Sequence, residues 1–181
     1  LDVTDHSQIN ELAEKYSDMP IDILLNNAGI SGDTKNQIFG RMDYDVYNKV
    51  LAVNTIGPLK MAEAFYPHVK ASQQRKIITV SSSEGSIATA DKRGGGRLFF
   101  YRSSKSALNM VMVNLALQLK NRGVAVGMIN PGATDTDFMT GLPFPLRKTE
   151  VAVSDMMRNI DTITIENTGA YLNYNGKTVP W

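Results

Sequence analysis
Three short apolar runs constrain the fold of this 181-residue chain more than anything else in it. Residues 21–25, 76–80 and 124–129 are rich in Ile, Val and Leu, and each stops at a cluster of small and polar side chains. The clusters are Asn26-Asn27-Ala28-Gly29, Ser81-Ser82-Ser83-Glu84-Gly85 and Asn130-Pro131-Gly132. Short continuous apolar runs bounded by turn residues read as buried strands. Stretches with helical spacing separate them. Thr4 and Asp5 are N-cap types ahead of Ile9, Leu12 and Ala13, a helix to about Tyr16. Asp43 caps a helix with Val46, Val50, Leu51 and Val53 on its apolar face, and helix resumes after Gly57-Pro58. Residues 99–121 read as a long helix with Gly123 at its C-terminal cap, 149–159 as a short helix and 169–173 as a last strand. This alternation gives an α/β fold, a parallel sheet with helices on both faces. Ligands bind such sheets beyond the carboxyl ends of the strands, so the polar clusters share the functional rim. Leu1-Asp2-Val3 reads as the end of a further strand, and residues 30–40 as loop. Residues 91–97 read as a polar loop over the site entrance, because Gly94, Gly95 and Gly96 open neither a GK[ST] nor a GxGxxG pattern.

Composition narrows the chemistry. Hydrophobic residues at 43% and charged residues at 20% suit one globular domain over residues 1–181. A net charge of +1 gives no electrostatic case for nucleic acid or an anionic membrane. No apolar run approaches the ~18 residues of a membrane span, and no signal-peptide pattern opens the chain, so the expected setting is cytoplasmic. The absence of cysteine excludes disulfides and thiol catalysis. His6 and His68 stand in polar surroundings and read as solvated surface residues, so no metal site is expected.

Tyr101 and Lys105 are one turn apart on the helix that follows the serine cluster. A tyrosine has a pKa near ~10 and is a poor acid or base at neutral pH. A neighbouring ammonium favours the phenolate and lowers that pKa, and proton transfer works best with a pKa near the working pH. Tyr101 beside Lys105 is therefore a candidate proton donor to a carbonyl oxygen, and Ser82 a candidate second donor to the same oxygen. The same spacing recurs at Tyr66 and Lys70, but with Pro67 inside the pair and no strand-end serine before it. That pair reads as the frayed end of a surface helix. Asn54 falls in mid-helix, where Asn is mildly unfavourable, and a kink there could free a backbone carbonyl to hold water.

Taken in order, Asn26-Asn27-Ala28-Gly29, Asn54, Ser82 ahead of Gly85, Tyr101-x-x-x-Lys105 and Pro131-Gly132-x-x-x-Thr136 resemble the short-chain dehydrogenase/reductase family over essentially the whole chain. The stretches 85–88, 102–109 and 171–181 look like its C-factor and Sniffer-type carbonyl reductase branch. The resemblance implies a doubly wound, Rossmann-like fold and hydride transfer between a nicotinamide cofactor, NAD or NADP, and a small-molecule carbonyl or alcohol substrate. It implies Tyr101 as the acid/base. Lys105 would lower the pKa of Tyr101 and bind the nicotinamide ribose. Ser82 would polarise the carbonyl, and Asn54 would hold a relay water. Asp2 and Val3 would line the adenine pocket, Asn27, Ala28 and Gly29 would meet the adenosine ribose, and Pro131, Gly132, Ala133 and Thr136 would hold the nicotinamide end.

One departure is large. The glycine-rich phosphate turn of the family is not in this sequence, nor are the β–α–β–α elements that carry it, roughly 60 residues at ~30 per unit. The expectation is an N-terminally truncated chain, impaired in binding cofactor, with residues 21–25 on an unpaired sheet edge. The alternative function is a catalytically silent nucleotide-sensing or signalling protein on the same fold. A third reading, reduction of acyl chains on a carrier protein, would use Arg93, Arg97 and Arg102 as a basic docking patch. Phe138, Met139, Leu142 and Phe144 in the segment 137–148 favour a small or apolar carbonyl. A homo-oligomer is compatible with all of these.

Overall fold
In chain order the elements are α1 (His6–Lys15), β1 (Ile23–Asn26), β2 (Gln37–Ile38), β3 (Arg41–Met42), α2 (Tyr44–Leu51), α3 (Gly57–Ala71), β4 (Lys76–Val80), α4 (Phe99–Lys120), β5 (Ala125–Asn130), α5 (Thr149–Thr162) and β6 (Ala170–Asn173). The computed structural model describes residues 1–93, 96–139 and 145–181. Strands β1, β4, β5 and β6 form one sheet in that order, every pair parallel. The register aligns Ile23 with Lys76, Lys76 with Ala125 and Gly127 with Ala170. All four strands therefore end on the same side, as expected from the polar clusters.

Successive strand residues face opposite ways, and the chain uses both faces. Ile77, Val126 and Met128 pack under α1, α3 and α4, against Ile9, Phe65, Val69, Leu108 and Met112. Ile78, Ala125 and Ile129 face the other way, against Ile160 and Ile163 at the end of α5. Each fully buried aliphatic side chain contributes about 1.5–3 kcal/mol, and β4 and β5, apolar on both faces, join the two sides of this core. Lys76 starts β4 and is buried, yet its ammonium donates to the Ile160 carbonyl at 2.9 Å and so closes the last turn of α5. Asp5 and Asp43 cap α1 and α2, each accepting from two backbone N–H groups. Among the described residues β1 is paired on one side only, and Leu25 on it is 43% exposed.

Several expectations need correction. Leu1-Asp2-Val3 is not a strand: the Asp2 carboxylate accepts from Thr4 N at 2.9 Å and Thr4 Oγ1 at 2.8 Å, and this turn leads into α1. Residues 30–40 are not all loop, since a short 3₁₀ turn and the β2–β3 hairpin, reversed at Gly40 with φ 87°, occupy their second half. His68 is buried, with Nε2 3.0 Å from the Ala13 carbonyl and its ring against Phe65. Tyr66 and Lys70 do not fray. Helix α3 runs through Pro67 to Ala71, Lys70 donates to the Arg122 carbonyl, and Arg122 lies over the Tyr66 ring. Gly94 and Gly95 of the expected entrance loop, and Leu142 and Phe144 of the segment 137–148, lie outside the described residues. Among the described residues no helix is long and apolar enough to cross a membrane.

Candidate active site
The carboxyl end of β4 anchors the site. Ser81 N donates to the Ile129 carbonyl at 2.9 Å, and Ser81 Oγ shares a 2.6 Å bond with Asn109 of α4. Ser82 follows in extended backbone and accepts from Glu84 N at 3.2 Å, opening a 3₁₀ turn over Ser83–Gly85. That turn lies directly on α4. A Cβ at Gly85 would stand 2.9 Å from both the carbonyl carbon and the Cβ of Lys105, so only glycine allows this approach. The approach brings the Ser82 side chain to the Tyr101 phenol, where it favours the ionised form. One turn on, Lys105 is buried, donates to the Val80 carbonyl at 2.9 Å, and stands 5.7 Å from the centre of the Tyr101 ring.

Asn54 joins this group through a local change of helix. Between α2 and α3 the chain makes a π-helical turn over Ala52–Ile56, with Gly57 N bonded to Ala52 O, five residues back. Single π-turns inside helices often mark functional sites. The expected kink is thus an extra residue in the turn. The Asn54 side chain is fully buried and fully used. Its Oδ1 accepts from Ile30 N at 2.8 Å, and its Nδ2 donates to Ile30 O at 2.7 Å and Ser104 Oγ at 2.9 Å. Thr55 Oγ1 adds a 3.0 Å bond to the Ser104 carbonyl. Helix α4 is therefore held to the π-turn at a residue between Tyr101 and Lys105. Above this junction lies bare backbone: a Cβ on Gly29 would sit 3.5 Å from both Asn54 Oδ1 and Lys105 Nζ. The structure thus brings Asn54, Ser82, Tyr101, Lys105 and Gly29 together.

The electrostatics run against one expectation. Burial pushes the Tyr101 phenol up to about 12, outweighing the lowering by the Ser82 side chain beside it. Burial also lowers Lys105 to about 8. The expected lowering of Tyr101 by Lys105 is absent, because the ammonium is turned to the Val80 carbonyl while desolvation penalises the phenolate. In this state Tyr101 keeps its proton at neutral pH.

The remaining candidates sit on the same rim with varied exposure. Asn27 and Ala28 are exposed just beyond β1. Asp2 is exposed, and its bonds from Thr4 hold its carboxyl below the usual range. Val3 packs on Gly57 at the head of α3, where a Cβ would meet the Val3 carbonyl at 3.0 Å. Pro131, Gly132 and Ala133 follow β5, with Gly132 at φ 75°. Arg147 holds this loop, donating to the Pro131 carbonyl at 2.7 Å and, from its backbone N–H, to Ala133 O at 2.8 Å. Thr136 is exposed, and its hydroxyl donates to the Thr134 carbonyl at 3.4 Å. Phe138 stands 5.5 Å from the Tyr101 ring. Arg102 is committed to Glu84 and to the Ala90 carbonyl, so it is not a free docking cation. Sequence reasoning missed Ser104, Asn109 and Tyr171. Ser104 and Asn109 carry a signal, being polar residues on the buried face of α4. Tyr171 donates to the Ser82 carbonyl from 89 residues away, and no local pattern announces that.

Known proteins of similar sequence and fold point to one family. Residues 1–143 match the family described as short chain dehydrogenase. The C-signal protein of Myxococcus xanthus is 34% identical over 162 residues, covering 90% of this chain and 93% of its own. The NADPH-bound carbonyl reductase from chicken fatty liver superposes with a TM-score of 0.90 at 28% identity, over 100% of this chain and 75% of that one. The carbonyl reductase Sniffer of D. melanogaster gives a TM-score of 0.87 at 26% identity, over 100% of this chain and 76% of that one. The chain belongs to the short-chain dehydrogenase family of oxidoreductases, in its carbonyl reductase branch.

Proposed function
We propose that this protein reduces a small carbonyl compound, with Tyr101 as proton donor, Ser82 as second hydrogen-bond donor to the carbonyl oxygen, and Lys105 and Asn54 as the residues that organise them. The observation that carries the reading is the seating of the Ser82–Gly85 turn on α4 at Gly85, which brings Ser82 to the Tyr101 phenol, with the Lys105 ammonium 5.7 Å from the Tyr101 ring. A phenol that keeps its proton at neutral pH suits a donor to an alkoxide forming on the substrate. Two hydroxyls converging on one oxygen stabilise charge that develops only in the transition state.

The residues fit a nicotinamide cofactor, NAD or NADP. Lys105 Nζ, 3.5 Å from where a Cβ of Gly29 would stand, would serve as a cationic donor to a ribose lying along that backbone. Pro131, Gly132, Ala133 and Thr136 would flank the nicotinamide, Asn27 and Ala28 the adenosine ribose, and Asp2 and Val3 the adenine. The cofactor supplies the hydride, and the residues here position the carbonyl and deliver the proton. Asn54 acts through the helix junction it builds, because its own side chain is occupied by Ile30 and Ser104. Phe138 beside Tyr101 favours an apolar substituent on the carbonyl.

The name of the C-signal relative keeps a signalling use of the same fold as the second reading. The intact set of Asn54, Ser82, Tyr101 and Lys105 favours the enzyme, since a silent protein has no need of it. The test is product formation from 4-nitrobenzaldehyde at millimolar NADPH or NADH. Tyr101→Phe should abolish turnover with cofactor affinity nearly unchanged, and Tyr66→Phe should leave turnover intact. Full activity in Tyr101→Phe would refute the assignment.

A further inference from the structure
We propose that Tyr171 is a positioning residue for Ser82, aiming the serine hydroxyl from across the sheet. The inference rests on the proposed action of Ser82 at the carbonyl oxygen. Tyr171 lies on β6, 1% exposed, paired in register with Met128 of β5. Its phenol donates to the Ser82 carbonyl, which also accepts from Gly85 N at 2.8 Å. The peptide that carries Ser82 is thus fixed by its own turn and, independently, by a strand far away in the chain. The other end of the segment is held from the same region. Ala88 N donates to the Trp181 carbonyl at 2.6 Å, and the Trp181 ring lies 5.4 Å from that of Tyr171. Val179 N closes the arrangement with a 2.8 Å bond to the Tyr171 carbonyl.

The core does not require this hydroxyl. A phenylalanine would fill the same space, and a buried phenol brings a polar atom that must find a partner. Its partner here is the backbone of Ser82, the residue proposed to act beside Tyr101. A misplacement of about 1 Å at a reacting group can cost on the order of 100-fold in rate, so a fixed Ser82 peptide has kinetic consequences.

A double-mutant cycle separates aim from mere support. Product formation from 4-nitrobenzaldehyde at saturating NADPH gives kcat, and cofactor affinity is measured alongside. Ser82→Ala should lower kcat by about 100-fold, the scale of one lost oxyanion donor. Tyr171→Phe should lower it by about tenfold at unchanged cofactor affinity. In the Ser82→Ala background Tyr171→Phe should cost nothing more, because no hydroxyl remains to be aimed. Additive losses would overturn the proposal, as would wild-type kcat in Tyr171→Phe when Ser82→Ala is impaired. Full activity in Ser82→Ala would instead sink the reading of Ser82 itself, and this inference with it. Should Tyr171→Phe fail to fold, Trp181→Leu, which removes the ring packed 5.4 Å from that of Tyr171 and so loosens the aim of its phenol, is read in the same cycle, with the same outcomes deciding.

Discussion

Lys105→Met should stabilise the folded chain at pH 7 and destabilise it near pH 10. Burial lowers the Lys105 ammonium from 10.5 to about 8. Between those values the unfolded chain holds a proton that the folded chain has released. Stability that depends on this group therefore rises as pH climbs through the window, and is lost as pH falls through about 8. At pH 7 the burial costs about 3 kcal/mol. Methionine removes that cost and fills a similar volume. It also abandons the 2.9 Å bond to the Val80 carbonyl, and leaving a buried acceptor unpaired costs about 1–2 kcal/mol. The net gain at pH 7 is about 1–2 kcal/mol. Near pH 10 the burial cost has mostly vanished while the orphaned carbonyl remains, so the sign reverses. Urea unfolding of both proteins at pH 7, 8, 9 and 10 reads the difference. The Tyr101 phenol, raised to about 12, contributes stability that is lost only from pH 10 upward, so it stays outside this window. A stability difference that is flat from pH 7 to 10 would refute the argument.

Two further outcomes follow from close approaches and from the residues that are present. Gly85→Ala should cost about 1–3 kcal/mol in urea unfolding, because its Cβ would meet Lys105 backbone that cannot yield, and turnover should fall with it; unchanged stability and rate would contradict the assigned contact. The 181 residues contain no glycine-rich phosphate turn, the element that seats a dinucleotide pyrophosphate, so calorimetric titration with NADH and NADPH should give dissociation constants weaker than about 100 μM; tight micromolar binding would show that other residues do that work.

The parts of the site that were legible in the sequence are those with a local code. Apolar runs ending in Asn, Ser or Gly gave the strands and the rim. The four-residue interval from Tyr101 to Lys105 gave a shared helix face. The β2–β3 hairpin has no such code, since two-residue strands are too short to show a period and Gly40 alone marks the reversal. His68 looked solvated because its sequence neighbours are polar, but its ring is held by Ala13, which lies 55 residues away. The ionisation of Tyr101 was misjudged for a related reason. Spacing puts the ammonium near, but only the fold turns it to Val80 and removes water from the phenol.

The head of α4 shows why the rest could not be read. This helix carries Tyr101 and Lys105, yet it opens at Leu98, in left-handed conformation at φ 56°, without a side-chain cap of its own. Its free N–H at Phe100 is met by Gln37 Oε1 at 2.9 Å, from the hairpin 63 residues earlier. The same glutamine is 3% exposed and donates to the Ser31 carbonyl at 2.9 Å, so it links the loop beyond β1 to the helix of the proton donor. Asn54 ties that loop to the same helix a turn further on, through Ile30 and Ser104. Gly85 sets the distance from the third side, and Tyr171 holds the residue before that turn. Each partner is a polar group that finds another buried polar group only after the chain has folded. An unpaired buried donor or acceptor costs about 1–3 kcal/mol, so these links are strongly selected by the folded state and invisible to any pattern confined to one segment. The residues that meet the substrate can thus be picked out by type and spacing, while those that hold them in place are determined by where the folded chain leaves a donor or acceptor unpaired.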